Sequence, residues 1–349
     1  MNRTVVIAAA LCAAIPLAAA APQERPGGAG FSFRTAVELI NVSATVTDEY
    51  GRFVPNLREE DFAIYEDGTR QTIQQFDAER VPVSLGIALD TSGSMLGEKI
   101  AAAQAALNRF LYDLLTDDDE VFLYRFDAKP SLVEGWTRDR RAVGGAIGRI
   151  KPGGGTAIYD TVAEAIPLAQ AGTRRKKALV IISDGNDTSS RLRLYDVSEM
   201  IRKTEVMVYA IGIDASEGAS SSYQSGSAGG TAPRPLPQPS PFPGKAPPPR
   251  SAPSRPSRPT APSSRSSVDR VNPEALRSIT DDSGGRTEII VSARDLDPAT
   301  AGIADELSRQ YFLGYSSSAP KDGRWHTIDV RLTRPGRYTV RARKGFVAN

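Results

Sequence analysis

The sequence predicts an α/β protein with a doubly wound, mostly parallel sheet, helices on both faces, and a small β-sandwich beside it. In the middle of the chain, aliphatic runs typical of strands buried on both faces alternate with segments of helical period. At both ends of the chain, apolar and polar residues alternate with a period of two, which is typical of half-buried strands. The four aliphatic runs are residues 83–89, 121–126, 178–182 and 206–213.

Residues 1–20 have the features of a secretory signal peptide. Arg3 supplies a short positive region, residues 5–20 are largely apolar, and Ala18-x-Ala20 is a small-residue cleavage pattern. A retained transmembrane anchor is the alternative, although the run is short and alanine-rich. Cys12 is the single cysteine and lies inside this segment, so the mature chain is expected to contain no disulfide. We therefore expect an exported protein, periplasmic or secreted, without a membrane span after cleavage.

Residues 31–80 and 322–346 are predicted to build the β-sandwich together. The few strands at either end cannot close a sandwich alone, because an isolated hairpin is only marginally stable. Asp67-Gly68 between two extended segments is a hairpin signal. Two separate β appendages are the alternative arrangement. The alternating runs lie at residues 40–46, 328–332 and 338–342.

Residues 81–317 carry the predicted parallel sheet and its helices. Apolar residues at helical spacing from Ile100 to Leu114 form the stripe of the first helix. Residues 131–136 are predicted to be a short edge strand, and residues 311–315 to be the last strand of this sheet. Because helical and extended patterns resume after residue 270, the unusual segment before it is an insertion rather than a domain boundary.

That insertion, residues 215–270, contains 13 of the 25 prolines, many serines and almost no aliphatic residues. Such a composition cannot bury enough apolar surface to offset the entropy of ordering, so disorder with polyproline II character is predicted. From Arg234 to Arg265 its charged residues are all basic. The segment could dock on an acidic surface or a proline-recognising partner. An inert loop insertion is the simpler interpretation.

Three loops of the central part place oxygen donors after or beside buried strands. Asp90, Ser92 and Ser94 follow the first strand, Thr156 lies on a glycine-rich loop that opens a helix, and Asp184 ends the third strand. Open α/β sheets bind their ligands at the carboxyl ends of their strands. Hard oxygen donors favour Mg²⁺, Mn²⁺ or Ca²⁺ over Zn²⁺. An ordinary polar turn is the alternative for the first loop taken alone.

The spacing Asp-x-Ser-x-Ser, followed in order by Gly-Gly-Gly-Thr and Ser-Asp-Gly, resembles the metal-ion-dependent adhesion site of von Willebrand factor type A (VWA) domains. The β parts and the metal loops together resemble a bacterial family of exported VWA-related proteins. This resemblance implies a Rossmann-like sheet with an intact metal site. It further implies that Ser92, Ser94 and Thr156 contact the metal directly and that Asp90 and Asp184 act largely through water. Mg²⁺ is the first expectation, with Mn²⁺ and Ca²⁺ as alternatives.

Neutral hydroxyl ligands would leave much of the cation's charge uncompensated and one coordination position open. An Asp or Glu carboxylate from a partner protein could complete the shell. The expected function is therefore metal-dependent protein binding or adhesion in the bacterial envelope or outside the cell. A structural or envelope-assembly protein with a stabilising metal is the alternative, followed by a metal-dependent enzyme.

Catalysis and nucleic-acid binding are both disfavoured. His326 is the only histidine and lies in a predicted strand of the sandwich, and no Gly-x-Ser-x-Gly elbow or Walker-type lysine is present. A shell of hydroxyl ligands activates water poorly compared with a zinc site. The net charge of +2 gives no global attraction to nucleic acid. We therefore expect a binding protein rather than an enzyme.

Overall fold

The computed structural model describes residues 38–214, 271–317 and 319–348. The predicted signal peptide (1–20) and the predicted disordered insertion (215–270) lie outside these described residues. The helices are α1 (Glu98–Arg109), α2 (Arg140–Gly148), α3 (Ile158–Gln170), α4 (Leu194–Arg202), α5 (Pro273–Thr280) and α6 (Leu296–Arg309). The strands are β1 (Glu38–Asp48), β2 (Phe62–Glu66), β3 (Thr69–Gln71), β4 (Ile73–Asp77), β5 (Val83–Asp90), β6 (Glu120–Phe126), β7 (Pro130–Thr137), β8 (Lys176–Ser183), β9 (Met207–Ile213), β10 (Thr287–Ile290), β11 (Tyr311–Ser317), β12 (Trp325–Leu332), β13 (Tyr338–Arg341) and β14 (Gly345–Val347).

The central sheet has the strand order β10-β9-β8-β5-β6-β7. All neighbouring pairs are parallel except β6 and β7, which are antiparallel. One hydrophobic core packs α1, α2 and α6 on the sheet, and a second core packs α3, α4 and α5 on it. The predicted doubly wound, mostly parallel fold is confirmed. Among the described residues, no helix has the length and apolarity needed to cross a bilayer.

Strand β5 lies at the centre of this sheet, and all eight of its residues are buried. The side chains on the two faces of this strand differ in size. Leu85 and its alternate neighbours fill one core, whereas Gly86 leaves space for the Phe122 ring on the other face. A Cβ on Gly86 would stand 2.3 Å from Phe122 Cζ. The same ring packs edge-on against Trp136, with ring centroids 4.7 Å apart. The absence of a side chain at Gly86 therefore allows the Phe122 ring to pack directly against β5.

Two antiparallel sheets form the sandwich, with the strand orders β13-β1-β11-β4 and β14-β12-β2-β3. Residues from both sheets share one hydrophobic core, which includes Ile40, Ile64 and Val330. The predicted contribution of both chain ends is confirmed. Asp67 and Gly68 both have positive φ, 48° and 79°, as a two-residue type I′ hairpin between β2 and β3 requires. The consecutive strands β12 and β13 lie in different sheets, so their connection crosses the sandwich.

Residues 311–315 were predicted to end the parallel sheet, and this prediction was wrong. They form β11, which pairs antiparallel with β1 and β4 in the sandwich. Tyr311, Leu313 and Tyr315 face the sandwich core, whereas the Phe312 ring on the other face stacks under the guanidinium of Arg175 at 4.4 Å. Burial on both faces is typical of parallel strands, and here a sandwich strand has it because it also covers the central domain.

A buried carboxylate connects the sandwich to the central domain. Glu306 on α6, with a side chain only 9% exposed, accepts hydrogen bonds from the Tyr209 hydroxyl (2.9 Å) and the Arg286 Nε (3.0 Å). It also accepts from the Thr45 hydroxyl (3.2 Å) and pairs with Arg341, both on sandwich strands. Because each partner comes from a different element, this one side chain holds four segments of the chain in place.

Candidate metal site

The three predicted loops meet at the carboxyl edge of the central sheet. The first follows β5 and the second precedes α3, and their backbones are joined by two hydrogen bonds. The Gly93 N–H donates to the Gly154 carbonyl (3.1 Å), and the Gly153 N–H donates to the Thr91 carbonyl (2.7 Å). These bonds use backbone groups only, so the relative position of the two loops does not depend on the proposed metal ligands.

The third loop follows β8 and holds the threonine loop from the other side. The Thr188 and Ser189 N–H groups both donate to the Thr156 carbonyl, at 2.8 and 3.0 Å. In return, the Thr156 N–H donates to the Thr188 hydroxyl at 3.0 Å. A Cβ on Gly155 would stand only 2.3 Å from the Ser189 Oγ. A side chain immediately before Thr156 would therefore displace the Ser189 hydroxyl from its present position.

Asp90 is the last residue of β5 and is completely buried. Its Oδ1 accepts a hydrogen bond from the Ser92 N–H (2.8 Å), and its Oδ2 accepts one from the Ser183 hydroxyl (2.5 Å). Burial raises the pKa of Asp90 to about 6, and the charge of Asp184 adds to this rise, although these hydrogen bonds act in the opposite direction. Ser183 was not among the predicted site residues. Its position directly before Asp184, at the same strand end, was the signal that could have identified it.

The side chains of Ser92, Ser94 and Asp184 form a continuous chain of contacts. The two serine hydroxyls lie 2.9 Å apart, and the Ser94 hydroxyl donates to Asp184 Oδ1 at 2.7 Å. The Thr156 Oγ1 lies 3.6 Å from the point where a Cβ would stand on Gly185, the residue after Asp184. The structure thus brings residues from all three loops to one edge of the sheet. Metal binding by them stays a prediction.

Lys99, in the first turn of α1, is a further member of this cluster that the sequence analysis missed. Its ammonium group pairs with Asp184 Oδ2. The side chain of Asp184 is 0% exposed and that of Lys99 is 24% exposed. Both oxygens of the buried carboxylate therefore have a donor, one from Ser94 and one from Lys99. A lysine five residues after Ser94, at the start of a predicted helix, was the available sequence signal.

The donor set fits a hard divalent cation. Hydroxyl and carboxylate oxygens are ligands that hard divalent cations accept in proteins, and Ser92, Ser94 and Asp184 place three such groups in contact with one another. The Asn186 Oδ1, two residues after Asp184, is buried and has no hydrogen-bond partner within the described residues. Across those same residues, no group of three or more His, Cys, Asp or Glu side chains that could hold a metal ion occurs.

His326 lies in the sandwich rather than among these loops. Its Nδ1 is 2.7 Å from Asp67 Oδ2, and its Nε2 is 3.5 Å from Asp322 Oδ1. The hydrogen bond to Asp67 raises the pKa of His326, and the same contact helps the Thr327 backbone to lower the pKa of Asp67. The imidazole therefore takes part in an ion pair that joins β12 to the hairpin after β2.

Comparison with known proteins identifies the central part of the chain. Residues 85–186 match the family model of the von Willebrand factor type A domain, and all five predicted site residues lie within this match. The predicted VWA-type domain is confirmed. The uncharacterized protein sll0103 of Synechocystis sp. is 29% identical over 137 residues, which cover 38% of this chain. The matched segment covers 32% of that cyanobacterial protein, about one third of its length.

Solved structures of VWA proteins are also similar to this chain. The von Willebrand factor type A structure from Catenulispora acidiphila has a TM-score of 0.47 and 13% identity, covering 88% of this chain and 73% of that one. The proximal thread matrix protein 1 from the mussel byssus, solved with a zinc-occupied metal-ion-dependent adhesion site (MIDAS) motif, has a TM-score of 0.47 and 12% identity. That alignment covers 70% of this chain and 50% of the mussel chain.

Proposed function

We propose that the VWA-type domain of this chain binds a partner protein through a divalent cation, in the bacterial envelope or outside the cell. Asp90, Ser92, Ser94, Thr156 and Asp184 would hold the cation, and an Asp or Glu side chain of the partner would complete its shell. The observation that supports this most directly is the convergence of hydroxyl and carboxylate oxygens from three loops at the carboxyl edge of the sheet. Export rests on the signal-peptide pattern of residues 1–20.

The chain's own residues have distinct roles in this proposal. The hydroxyls of Ser92, Ser94 and Thr156 would contact the cation directly without cancelling its charge. Asp90 fixes the turn after β5, because its two oxygens hold the Ser92 N–H and the Ser183 hydroxyl. A bound cation supplies an electrophilic centre that attracts the partner's carboxylate.

Mg²⁺ is the favoured cation because the donors are hard oxygens, with Mn²⁺ and Ca²⁺ as alternatives.

A second candidate function is a structural or envelope-assembly protein in which the metal only stabilises the loops. This alternative predicts that the three loops lose their structure when the metal is removed. Enzymatic activity is not part of the proposal. His326 pairs with Asp67 in the sandwich, away from the three loops. The loops therefore contain hydroxyls and carboxylates but no imidazole that could act as a general base.

The test is a crosslinked pull-down from an envelope fraction with the full chain as bait. Wild type and Thr156→Ala are compared in Mg²⁺ and in EDTA, and Thr69→Ala, an exposed threonine of β3, is the matched control. We expect a partner that wild type and Thr69→Ala retain in Mg²⁺ and lose in EDTA, and that Thr156→Ala does not retain in either. Retention that is insensitive both to EDTA and to Thr156→Ala would contradict the proposal. Unfolding of wild type in EDTA or of Thr156→Ala in Mg²⁺, measured by circular dichroism, without any EDTA-sensitive partner, would favour the structural alternative.

A further inference from the structure

We propose that Lys99 is a built-in counter-ion that competes with the divalent cation for Asp184. Lys99 would thereby weaken cation binding at this site and stabilise the loops while they are free of metal. This inference rests on the proposed metal-dependent function, and it assigns a role to a residue outside the predicted ligand set.

Burial of Asp184 is the first argument. Its side chain is 0% exposed, and an unpaired buried carboxylate carries a large desolvation penalty. The Lys99 ammonium compensates that charge on Oδ2, while the Ser94 hydroxyl donates to Oδ1. Both oxygens of the Asp184 carboxylate therefore have hydrogen-bond donors from the chain itself when no metal is bound. A cation that uses Asp184, directly or through water, must share this carboxylate with the ammonium group or displace it.

The charge balance is the second argument. Asp90 lies beside Asp184, because its Oδ2 accepts a hydrogen bond from the hydroxyl of Ser183, the residue before Asp184, and Lys99 is paired with Asp184. Two carboxylates and one ammonium give a formal charge of −1, and a divalent cation would change it to +1. Since charges of like sign repel strongly where water is partly excluded, the ammonium opposes the arriving cation.

The flexibility of lysine is the third argument. Lys99 is in the first turn of α1 and its side chain is 24% exposed, so solvent reaches part of it. Its four-carbon stem can carry the ammonium away from Asp184 without moving the helix. The loop backbones are held by their own hydrogen bonds, so the exchange of lysine for metal requires no rearrangement of the loops. Lys99 is therefore a positioning residue for Asp184 in the metal-free protein.

The test measures Mg²⁺ and Mn²⁺ affinity of the full chain by isothermal titration calorimetry, with no partner present. Lys99→Met removes the charge, Lys99→Arg retains it, and Lys129→Met removes an exposed lysine from the loop after β6 at the same edge of the sheet. We expect Lys99→Met to bind Mg²⁺ at least about tenfold more tightly than wild type, because the repulsion is gone. Lys129→Met should remain within about twofold of wild type, because exposed charges are screened.

Thermal unfolding supplies the second measurement. Lys99→Met should unfold at a lower temperature than wild type in EDTA, and the difference should shrink in saturating Mg²⁺. If Lys99→Met does not fold, Lys99→Gln replaces it, because a neutral amide can still donate to Asp184. Wild type that binds metal with the same affinity as Lys99→Met, or more tightly, would overturn this inference and leave the proposed function intact. Failure of both wild type and Lys99→Met to bind either metal would overturn the proposed function and this inference with it.

Discussion

The three successive glycines before Thr156 give a test in which neighbouring substitutions have different expected outcomes. A Cβ on Gly155 would stand 2.3 Å from the Ser189 Oγ and 3.3 Å from the Thr188 Oγ1. A Cβ on Gly153 would have no atom within 4 Å, and neither glycine has a positive φ. Gly155→Ala must therefore displace the Ser189 hydroxyl and crowd the Thr188 hydroxyl, whereas Gly153→Ala meets open space. The chemical change is the same at both positions.

The magnitude follows from the contact that must be relieved. An ordinary contact needs about 3.4 Å or more, so the Ser189 hydroxyl must move by about 1 Å, whereas the Ser189 Cβ at 3.6 Å can stay in place. Forcing an extra carbon into packed surroundings costs about 1–3 kcal/mol. We expect Gly155→Ala to lose about 1 kcal/mol of the free energy of unfolding in EDTA, at the low end of this range, because a serine hydroxyl can rotate away. Gly153→Ala should stay within about 0.5 kcal/mol of wild type or gain slightly, because alanine restricts the unfolded chain.

The assays are urea unfolding followed by circular dichroism and Mg²⁺ titration by calorimetry, on the same three proteins. Because the clash falls on the loop that clamps Thr156, Gly155→Ala should also lose about tenfold in Mg²⁺ affinity, which corresponds to about 1.4 kcal/mol. Equal losses in Gly153→Ala and Gly155→Ala would show that glycine flexibility, rather than close approach, is what the loop needs. No loss in either variant would refute the assigned loop packing.

Three further predictions concern the scaffold. Gly86→Ala should lower the free energy of unfolding by about 1–3 kcal/mol in urea titrations, because its Cβ would overlap a packed ring, whereas Gly135→Ala, which meets no atom within 4 Å, should not. Glu306→Ala should cost about 1–3 kcal/mol in the same assay, because it leaves Arg341 and the Tyr209 hydroxyl without their carboxylate while Arg286 keeps Glu288; a loss below about 0.5 kcal/mol would contradict its role as a junction. Because the pKa of His326 is raised, its ion pair adds stability that is fully present below pH 6.5 and is lost as the pH rises through the raised pKa. Because the pKa of Asp67 is lowered, the same pair adds stability that is lost as the pH falls below the usual pKa range of an aspartate. His326→Asn should therefore destabilise the protein at pH 5.5 and much less at pH 9, and equal destabilisation at both would show that packing rather than charge is lost.

Most of the central domain could be predicted because its strands and loops carry strong local patterns. Strand β5 is apolar along its whole length and ends at once in Asp90, so both the strand and the start of the site follow from the residues. Strand β11 could not be assigned in this way. Its apolar residues on both faces fit a parallel sheet equally well, and only the antiparallel pairing with β1 and β4 in three dimensions distinguishes the two arrangements.

The residues of the candidate site also differ in whether the sequence alone predicts them. The five predicted residues follow from motif spacing within single loops. Lys99 and Ser183 contribute through contacts that cross between loops, and such contacts depend on how α1 and β8 are placed relative to each other. The hydrophobic periodicity of a helix or strand does not predict where that element lies relative to the others. The unpartnered Asn186 Oδ1 is likewise visible only once the burial of each atom is known.

The sandwich and the candidate site lie at opposite edges of the central sheet. The sandwich contacts the starts of β8 and β9, where Arg175 stacks on Phe312 and the Asn41 amide donates to Glu205, whereas the site lies at the strand ends. Strand β5 spans about 26 Å between them, at about 3.3 Å per residue. A force applied to the loops after β5 and resisted in the sandwich would thus act along the strands. It would load the hydrogen bonds between β5 and its two neighbours together, in shear.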